Sequence, residues 1–263
     1  MEPASKANLK NKHLIVFDLD GTLAPTKSTI DLEMSDLLEK LLKAKKVAVI
    51  GGGKFELFQE QLLNGLKAPT NLLKNMFLFP TTATTFYKFE DGWKKVYSHD
   101  LTQQEVKRII AAFEEIIAKI GYKPEKTYGI IIEDRGTQVT WSALGQDVVK
   151  ILGDKGVELK NKWKEENTPL KLEIAKYVQE KLPDLEVHAA GYTSIDVTKK
   201  GIDKAYGLKQ MEDHLKTKIK DMLFVGDAIF PGGNDYAVTK TPIDYIQVKG
   251  PEETKQIIRQ ILE

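Results

Sequence analysis

The chain has 263 residues, enough for two modest domains, and its 39 basic and 38 acidic residues leave a net charge of +1 that implies neither a nucleic-acid partner nor a membrane surface. The absence of cysteine excludes disulfides, thiolate catalysis and zinc–thiolate sites, and it fits a reducing, cytoplasmic setting. Residues 1–8 are polar and unlike a signal peptide, and no apolar run approaches the roughly 18 residues of a membrane helix.

Apolar strand patterns alternate with helical patterns near both ends of the chain. The predicted strands cover residues 14–19, 46–50, 76–79, 222–225 and 243–248. Leucines recur at helical spacing from 32 to 42 after Asp31, which is a typical N-cap residue. Pro251 stands at the favoured first position of a final helix. This alternation predicts an α/β fold with a Rossmann-like, doubly wound parallel sheet.

The middle of the chain has a different pattern, in which hairpins accompany two helices. Residues 86–97 predict a hairpin that turns at Asp91-Gly92. A capping box at Thr102 predicts one helix, and Pro169 predicts the start of another that ends near 182. Further strands are predicted near 129–132, 138–142, 185–190 and 193–197. The pattern indicates an α+β cap domain of residues 85–199, inserted into a core of residues 1–84 and 200–263.

Two carboxylates, Asp18 and Asp20, follow the first predicted strand and precede Gly21. Glycine allows the sharp turn that leaves the strand. Both acids then lie at the carboxyl end of a strand, where open α/β sheets place their ligands. Like charges this close usually need a cation or a proton between them. Taken alone, the motif also fits a solvated acidic corner between a strand and a loop.

A second apolar strand ends in Asp227, and a loop rich in glycine leads on to Asn234 and Asp235. Carboxylates on such loops at one sheet edge suit Mg²⁺, which binds few protein carboxylates and keeps waters or phosphate oxygens. Solvation and Asx-turns are the alternative explanation for these acids. The presence of the first motif favours the magnesium site.

The whole chain resembles the haloacid dehalogenase-like (HAD) superfamily of phosphotransferases. The resemblance is carried by Phe17-Asp18-Leu19-Asp20-Gly21-Thr22-Leu23 and by Gly226-Asp227 through Pro231-Gly232-Gly233-Asn234-Asp235. Weaker matches lie at Gly51-Gly52, Phe55, Gln59-Glu60-Gln61, Ser194-Ile195-Asp196-Val197 and Gly201-Ile202-Asp203-Lys204. Within the superfamily the chain is similar to subfamily IIB, whose members carry a C2 cap and include Cof-type sugar phosphatases and eukaryotic phosphomannomutases.

The resemblance implies the chemistry of the acidic residues. Asp18 would be the nucleophile that forms an aspartyl-phosphate, and Asp20 would protonate the leaving oxygen and then deprotonate the acceptor. Mg²⁺ would be held by Asp18, by the backbone carbonyl of Asp20 and by Asp227. Asn234 and Asp235 would orient the waters on the metal.

Phosphoryl transfer also needs positive charge and N–H donors around the phosphoryl oxygens. Lys204 matches the phosphate lysine of the family, with Lys200 as a register-shifted rival and a solvated helix lysine as the alternative. The turn Gly51, Gly52 and Gly53 would cradle the phosphoryl oxygens with backbone N–H groups. Gly53 stands where the family usually has a Ser or Thr hydroxyl, and a plain turn is the alternative.

Substrate recognition is expected from the cap. Ser194 and Asp196 are two residues apart on one strand and therefore share a face, where the resemblance implies contacts to a sugar or its distal phosphate. Arg135 is the one arginine expected at the substrate. Lys27 and Gln146 stand where phosphomannomutases have arginines, which grip phosphate with two hydrogen bonds.

Only three of the 39 basic residues are arginines. Losing a bidentate arginine contact costs about 1.5–3 kcal/mol, and a mutase must hold a bisphosphate intermediate. The sequence therefore favours a Mg²⁺-dependent phosphatase of small sugar phosphates over a phosphomannomutase. A catalytically silent scaffold is a third hypothesis, which the intact acids disfavour. The expected partner is a small phosphate ester, with no nucleic acid or membrane and with a homodimer through the cap as a further option.

Overall fold

The structure is a computed structural model that describes residues 9–263, so the polar segment 1–8 discussed above lies outside the described residues. The chain divides into two compact units. The first unit contains the residues up to Ser98 together with Asp203–Glu263, and the second contains His99–Ile202. None of the helices in the described part combines the length and the apolar character that a membrane span requires.

The first unit is built on a seven-stranded sheet. Its strands are β1 (Leu14–Asp18), β2 (Lys46–Ile50), β3 (Met76–Phe79), β4 (Thr85–Phe89), β5 (Trp93–Ser98), β10 (Met222–Gly226) and β11 (Asp244–Gln247). They lie side by side in the order β11-β10-β1-β2-β3-β4-β5. The pairs among β11, β10, β1, β2 and β3 are all parallel, whereas β4 and β5 are added antiparallel. The predicted α/β class with a parallel, Rossmann-like sheet is confirmed.

Helices cover both faces of this sheet. They are α1 (Leu32–Ala44), α2 (Phe55–Phe58), α6 (Lys204–Leu215) and α7 (Pro251–Leu262). Alternate residues of β1 point to opposite faces, so Ile15 and Phe17 join one apolar cluster while Leu14 and Val16 join another. The predicted N-cap is confirmed, because the side chain of Asp31 accepts a hydrogen bond from the N–H of Met34.

The hairpin of residues 86–97 lies in the first unit and not in the predicted cap of residues 85–199. Strand β4 pairs with β3, and the ring of Phe86 stacks on Phe79 with 4.5 Å between centroids. The hairpin therefore belongs to the core of the large sheet. The units divide after Ser98 and after Ile202, instead of near 84 and 199. Alternation in the sequence indicates a hairpin, but it does not say which sheet the hairpin joins.

The second unit has a four-stranded antiparallel sheet. Its elements are β6 (Ile132–Asp134), β7 (Val139–Ser142), β8 (Leu185–Ala190), β9 (Ser194–Lys199), α3 (Gln103–Ile120), α4 (Val148–Leu152) and α5 (Asp154–Lys181). The strands lie in the order β6-β7-β9-β8. The capping box at Thr102 is confirmed. The predicted start of a helix at Pro169 is wrong, because α5 begins at Asp154 and carries this proline inside. The polar first half of α5 lacks the apolar stripe that predicts a helix.

Candidate active site

Asp18 ends β1, the middle strand of the parallel part of the sheet. Its side chain is buried. Strand β10 runs parallel beside β1 and ends at Gly226, so Asp227 follows at the same edge. Both predicted acids therefore lie at the carboxyl edge of the sheet, the usual place for ligands in this class of fold.

Lys204 connects the two ends of the chain at this edge. It is the first residue of α6, after Asp203 caps the helix by accepting from the N–H of Tyr206 at 2.9 Å. The buried Nζ of Lys204 donates to Asp18 Oδ1 at 2.5 Å and also to Asp235 Oδ1. The rival Lys200 lies in the second unit, where its Nζ donates to the carbonyl of Pro183.

Three carboxylates converge beside this ammonium group. One oxygen from each of Asp18, Asp227 and Asp235 lies within 4.8 Å of the other two. Carboxylate oxygens grouped this closely are the hard ligands that a divalent cation such as Mg²⁺ prefers, so the donor set fits a metal.

The electrostatics around Asp18 also favour a bound cation. Burial raises the pKa of Asp18 well above its ordinary value; Lys204 opposes this, and Asp235 and Asp227 raise the pKa further. Burial lowers the pKa of Lys204, but its contacts with Asp18 and Asp235 outweigh burial and raise that pKa overall. Lys204 is therefore a permanent cation, and a second cation in the site would keep Asp18 ionised.

Asp235 is held more firmly than a loop acid that merely orients waters. It is fully buried, and its Oδ2 accepts from the N–H of Ala228 at 3.0 Å while Oδ1 faces Lys204. Asn234, the other predicted residue of this loop, is half-buried directly before it.

Asp20 lies outside the group of three carboxylates. Its Oδ1 accepts from the backbone N–H of Lys27 at 2.6 Å and from Gln61 Nε2 at 2.9 Å. The metal contact implied for the backbone carbonyl of Asp20 stays a prediction. Lys27 has a left-handed backbone with φ of 51°. Its main chain thus contacts Asp20, a role that the comparison with family arginines did not predict.

The carbonyl groups of the glycine turn after β2 accept hydrogen bonds from a neighbouring turn. The N–H groups of Thr82 and Thr81 donate to the carbonyls of Gly51 and Gly53 at 2.9 and 2.8 Å. The N–H of Gly51 donates to the carbonyl of Phe79 at 3.3 Å. The N–H of Gly51 is thus occupied by the end of β3, and the phosphate contact of this turn stays a prediction.

The absent hydroxyl at Gly53 has a local explanation in packing. A Cβ atom built on Gly53 would lie 3.1 Å from the side chain of Leu57. That distance is tighter than ordinary van der Waals contact. A serine at this position would thus require Leu57 to move.

Of the four predicted substrate residues of the second unit, Ser194 and Asp196 lie on β9, whereas Arg135 follows β6 and Gln146 follows β7 in the chain. Arg135 donates through Nε to Glu133 at 2.8 Å and through Nη2 to Gln146 Oε1 at 3.1 Å. Asp196 is buried and accepts from Thr140 Oγ1 at 2.8 Å. Burial raises the pKa of Asp196, and Arg135 opposes this.

Ser194 lies on β9 two residues before Asp196, as predicted, and its Cα pairs with that of Ser142. The two residues share a face, because the intervening Ile195 belongs to the apolar core of the second unit. Lys171 was not predicted. Its Nζ donates to the carbonyls of Ala190 and Gly191, and burial lowers its pKa to about 8.

Two further residues beside predicted ones were missed. Glu133 pairs with Arg135, and Gln61 contacts Asp20. The spacing of Glu133 and Arg135 places both on one face of an extended chain, which is a usable signal. Gln61 stood only in a weak family match, and nothing local in the sequence connects it with Asp20.

Comparison with known proteins identifies the family. The family model described as eukaryotic phosphomannomutase matches residues 34–263. The phosphomannomutase of Drosophila melanogaster is 28% identical over 269 residues, with 97% of each chain covered. Phosphomannomutase 1 of Homo sapiens is 27% identical over 259 residues, covering 98% of this chain and 95% of the relative.

Solved structures show the same fold at lower identity. IMP-bound IMP-nucleotidase of Plasmodium falciparum has a TM-score of 0.71 at 18% identity, covering 98% of this chain and 71% of the other. Trehalose-6-phosphate phosphatase of Aspergillus fumigatus has a TM-score of 0.55 at 16% identity, covering 99% and 98%. The HAD resemblance is thereby confirmed, and the protein is a HAD-type phosphotransferase that belongs to the eukaryotic phosphomannomutase family.

Proposed function

We propose that the protein is a Mg²⁺-dependent phosphomannomutase that interconverts mannose 1-phosphate and mannose 6-phosphate. The observation that carries the proposal is the buried contact of Lys204 with Asp18 and Asp235 beside Asp227, in a chain matched along most of its length by phosphomannomutases. The sequence alone favours hydrolysis, whereas the relatives support the alternative that it left open.

In this proposal the residues divide the reaction between them. An oxygen of Asp18 attacks phosphorus, the bond from phosphorus to the sugar oxygen breaks, and Asp20 supplies the proton that the leaving oxygen takes up. In the second half, Asp20 takes the proton of the incoming hydroxyl group, which attacks phosphorus and releases Asp18. Lys204 holds Asp18 in place and offsets negative charge on the phosphoryl oxygens.

Mg²⁺ would be held by Asp18 and Asp227 and by the carbonyl of Asp20, with Asn234 and Asp235 supporting its waters. When bound, it supplies Lewis-acid stabilisation of the phosphoryl group. The support for this assignment is that oxygens of Asp18, Asp227 and Asp235 lie within 4.8 Å of one another, and that the first and last of these acids are paired with Lys204.

Hydrolysis of a sugar monophosphate is the second candidate, and one observation favours it. Arg135, the single arginine at the proposed sugar site, is paired with Glu133 and also lies near the buried Asp196. Its charge is thus balanced by acids of this chain. A second phosphate group needs surplus positive charge, whereas neutral sugar hydroxyls suit a balanced, polar surface.

The second unit would serve as the cap that recognises the sugar through Arg135, Gln146, Ser194 and Asp196. A homodimer through this unit is part of the proposal. The hairpin of residues 86–97 is not available for it, because that hairpin belongs to the first unit. The cytoplasmic setting is also retained, on the basis of the cysteine-free composition.

The deciding experiment follows mannose 1-phosphate and Mg²⁺ by phosphorus NMR, with and without a catalytic trace of glucose 1,6-bisphosphate. Mannose 6-phosphate that forms only with the bisphosphate supports the mutase. Free phosphate in both samples would replace the mutase by the hydrolase. Asp18→Asn should abolish either reaction, and no reaction of the wild type would favour the silent scaffold.

A further inference from the structure

Asp20 is fixed by two donors that act on the same oxygen. The backbone N–H of Lys27 and the side-chain Nε2 of Gln61 both donate to Oδ1, at 2.6 and 2.9 Å. The carboxylate lies in the loop after β1 and is only half-buried. A side chain at such a place would otherwise sample several rotamers, so the two bonds select one orientation and leave Oδ2 to exchange the proton.

Gln61 is poorly explained as a packing residue. It is 2% exposed, and its Oε1 is buried without a hydrogen-bond partner among the described residues. An unsatisfied buried acceptor destabilises the fold, and an apolar residue of similar length would avoid this. The orientation of the amide follows from its neighbour, because an ionised carboxylate only accepts and Nε2 must face it. What glutamine adds here is the bond to Asp20.

The backbone around Gln61 is specialised as well. Residues Gln59–Leu63 form one turn of π-helix, a feature that occurs often at functional sites. The carbonyl of Gln61 accepts from the N–H of Ile30 at 2.8 Å, and Thr29 Oγ1 donates to the carbonyl of Glu60 at 3.2 Å. The turn therefore holds the loop that carries Lys27 as well as contacting Asp20 directly.

From this geometry we infer that Gln61 is a positioning residue for proton transfer by Asp20. It acts through Asp20 and takes no proton itself. The inference rests on the proposed function, which assigns the proton transfer to Asp20. It extends that function by naming the side chain that aims the acid.

The test compares two esters that differ in their need for an acid. The sugar oxygen of mannose 1-phosphate must be protonated as it leaves, whereas p-nitrophenyl phosphate releases a stabilised phenolate that needs little help. Single-turnover measurements isolate phosphoryl transfer to Asp18 from the later release of phosphate, in which Asp20 acts as the base for both esters. Gln61→Met should lower the single-turnover rate for the sugar phosphate by about 10–100-fold, part of the 10²–10⁴-fold that a general acid supplies. The loss in this rate with the aryl ester should be at least about tenfold smaller. Asp20→Asn should show the same dependence on the leaving group.

Gln59→Met is the matched control, because Gln59 lies in the same π-turn with an exposed side chain. It should leave both rates and the melting temperature unchanged. Gln61→Glu keeps the shape of the side chain but loses the N–H donor to Asp20. This variant replaces Gln61→Met in the test if the methionine variant unfolds at too low a temperature to assay. It should show the same selective loss.

Equal losses on the two esters, or no loss on either, would overturn the inference and leave the proposed function intact. A wild type that is inactive on both esters would overturn the proposed function first, and the inference with it. The two failures are distinguishable, because only the second appears before any substitution is made.

Discussion

The carboxylate of Asp235 packs directly on the backbone of Gly226, at a position where any side chain would overlap its Oδ2. Gly226 ends β10, which pairs with the strand that ends at Asp18. The contact with Gly226 therefore fixes how closely Asp235 approaches the edge of the sheet. The close approach explains why a strand of otherwise large apolar residues ends in glycine.

Gly226→Ala should therefore displace Asp235 from Lys204 and from the N–H of Ala228. We expect a loss of about 2–4 kcal/mol in the free energy of unfolding, because an unpaired charge would be left buried. Denaturant unfolding measures this. Gly250→Ala is the control, since a Cβ there would meet nothing and φ is extended. Equal stability of the two variants would contradict the prediction.

Asp18→Asn should stabilise the metal-free protein at neutral pH. Burial raises the pKa of Asp18 well above 3.8, with Lys204 opposing and Asp235 and Asp227 adding to the rise. The folded chain thus binds this proton more tightly than the unfolded chain. The contribution of Asp18 to the free energy of unfolding is therefore complete below about pH 4, and it is lost as the pH rises through the folded pKa.

Asparagine carries no charge, so the Asp18→Asn variant does not lose stability as the pH rises in this way. We expect the free energy of unfolding of this variant in EDTA at pH 7 to exceed that of the wild type by about 1–3 kcal/mol. The difference should vanish near pH 4 and shrink when Mg²⁺ is added, because the metal stabilises the wild type. A lower melting temperature of the variant in EDTA would show that Asp18 is already ionised without metal.

Thr82→Gly should stabilise the protein. Thr81, Thr82 and Ala83 have φ of 49°, 56° and 65°, a left-handed run that β-carbons disfavour. This conformation costs roughly 1–2 kcal/mol per residue, part of which glycine recovers. We expect a gain of about 1 kcal/mol in the free energy of unfolding, measured by denaturant titration.

Thr84→Gly is the neighbouring control for this gain. Thr84 has φ of −69° and donates through Oγ1 to the carbonyl of Thr81. Its replacement should destabilise the protein. If both glycine variants lost stability alike, the left-handed turn would not be strained.

Glu133→Gln should shift the protein toward binding two phosphates. The substitution keeps an acceptor for Arg135 but removes the negative charge that balances it. We expect the bisphosphate activator to bind about 5–20-fold more tightly, in line with a charged hydrogen bond released to a new partner. Calorimetry with glucose 1,6-bisphosphate measures this. Glu158→Gln, which changes an exposed acid of α5 in the same unit, is the control. Equal affinities of the two variants would argue against a phosphate at this arginine.

Local patterns were sufficient for much of the fold. Short continuous apolar runs predicted β1, β2, β3 and β10. The caps at Asp31 and Thr102 were predicted because a cap is a contact between residues three apart. The acids of the site were identified at strand ends for the same reason. The hairpin of residues 86–97 was predicted as an element but assigned to the wrong unit, because its partner strand is a matter of tertiary packing.

The sequence by itself thus determined the fold class, the elements of the core and the acids of the candidate site, since each rests on neighbours in the chain. Only the tertiary structure decided which groups meet. Lys204 contacts Asp18 across 186 residues, and Gln61 contacts Asp20 across 41. Such contacts follow from how strands and helices pack, and no spacing along the chain reports them.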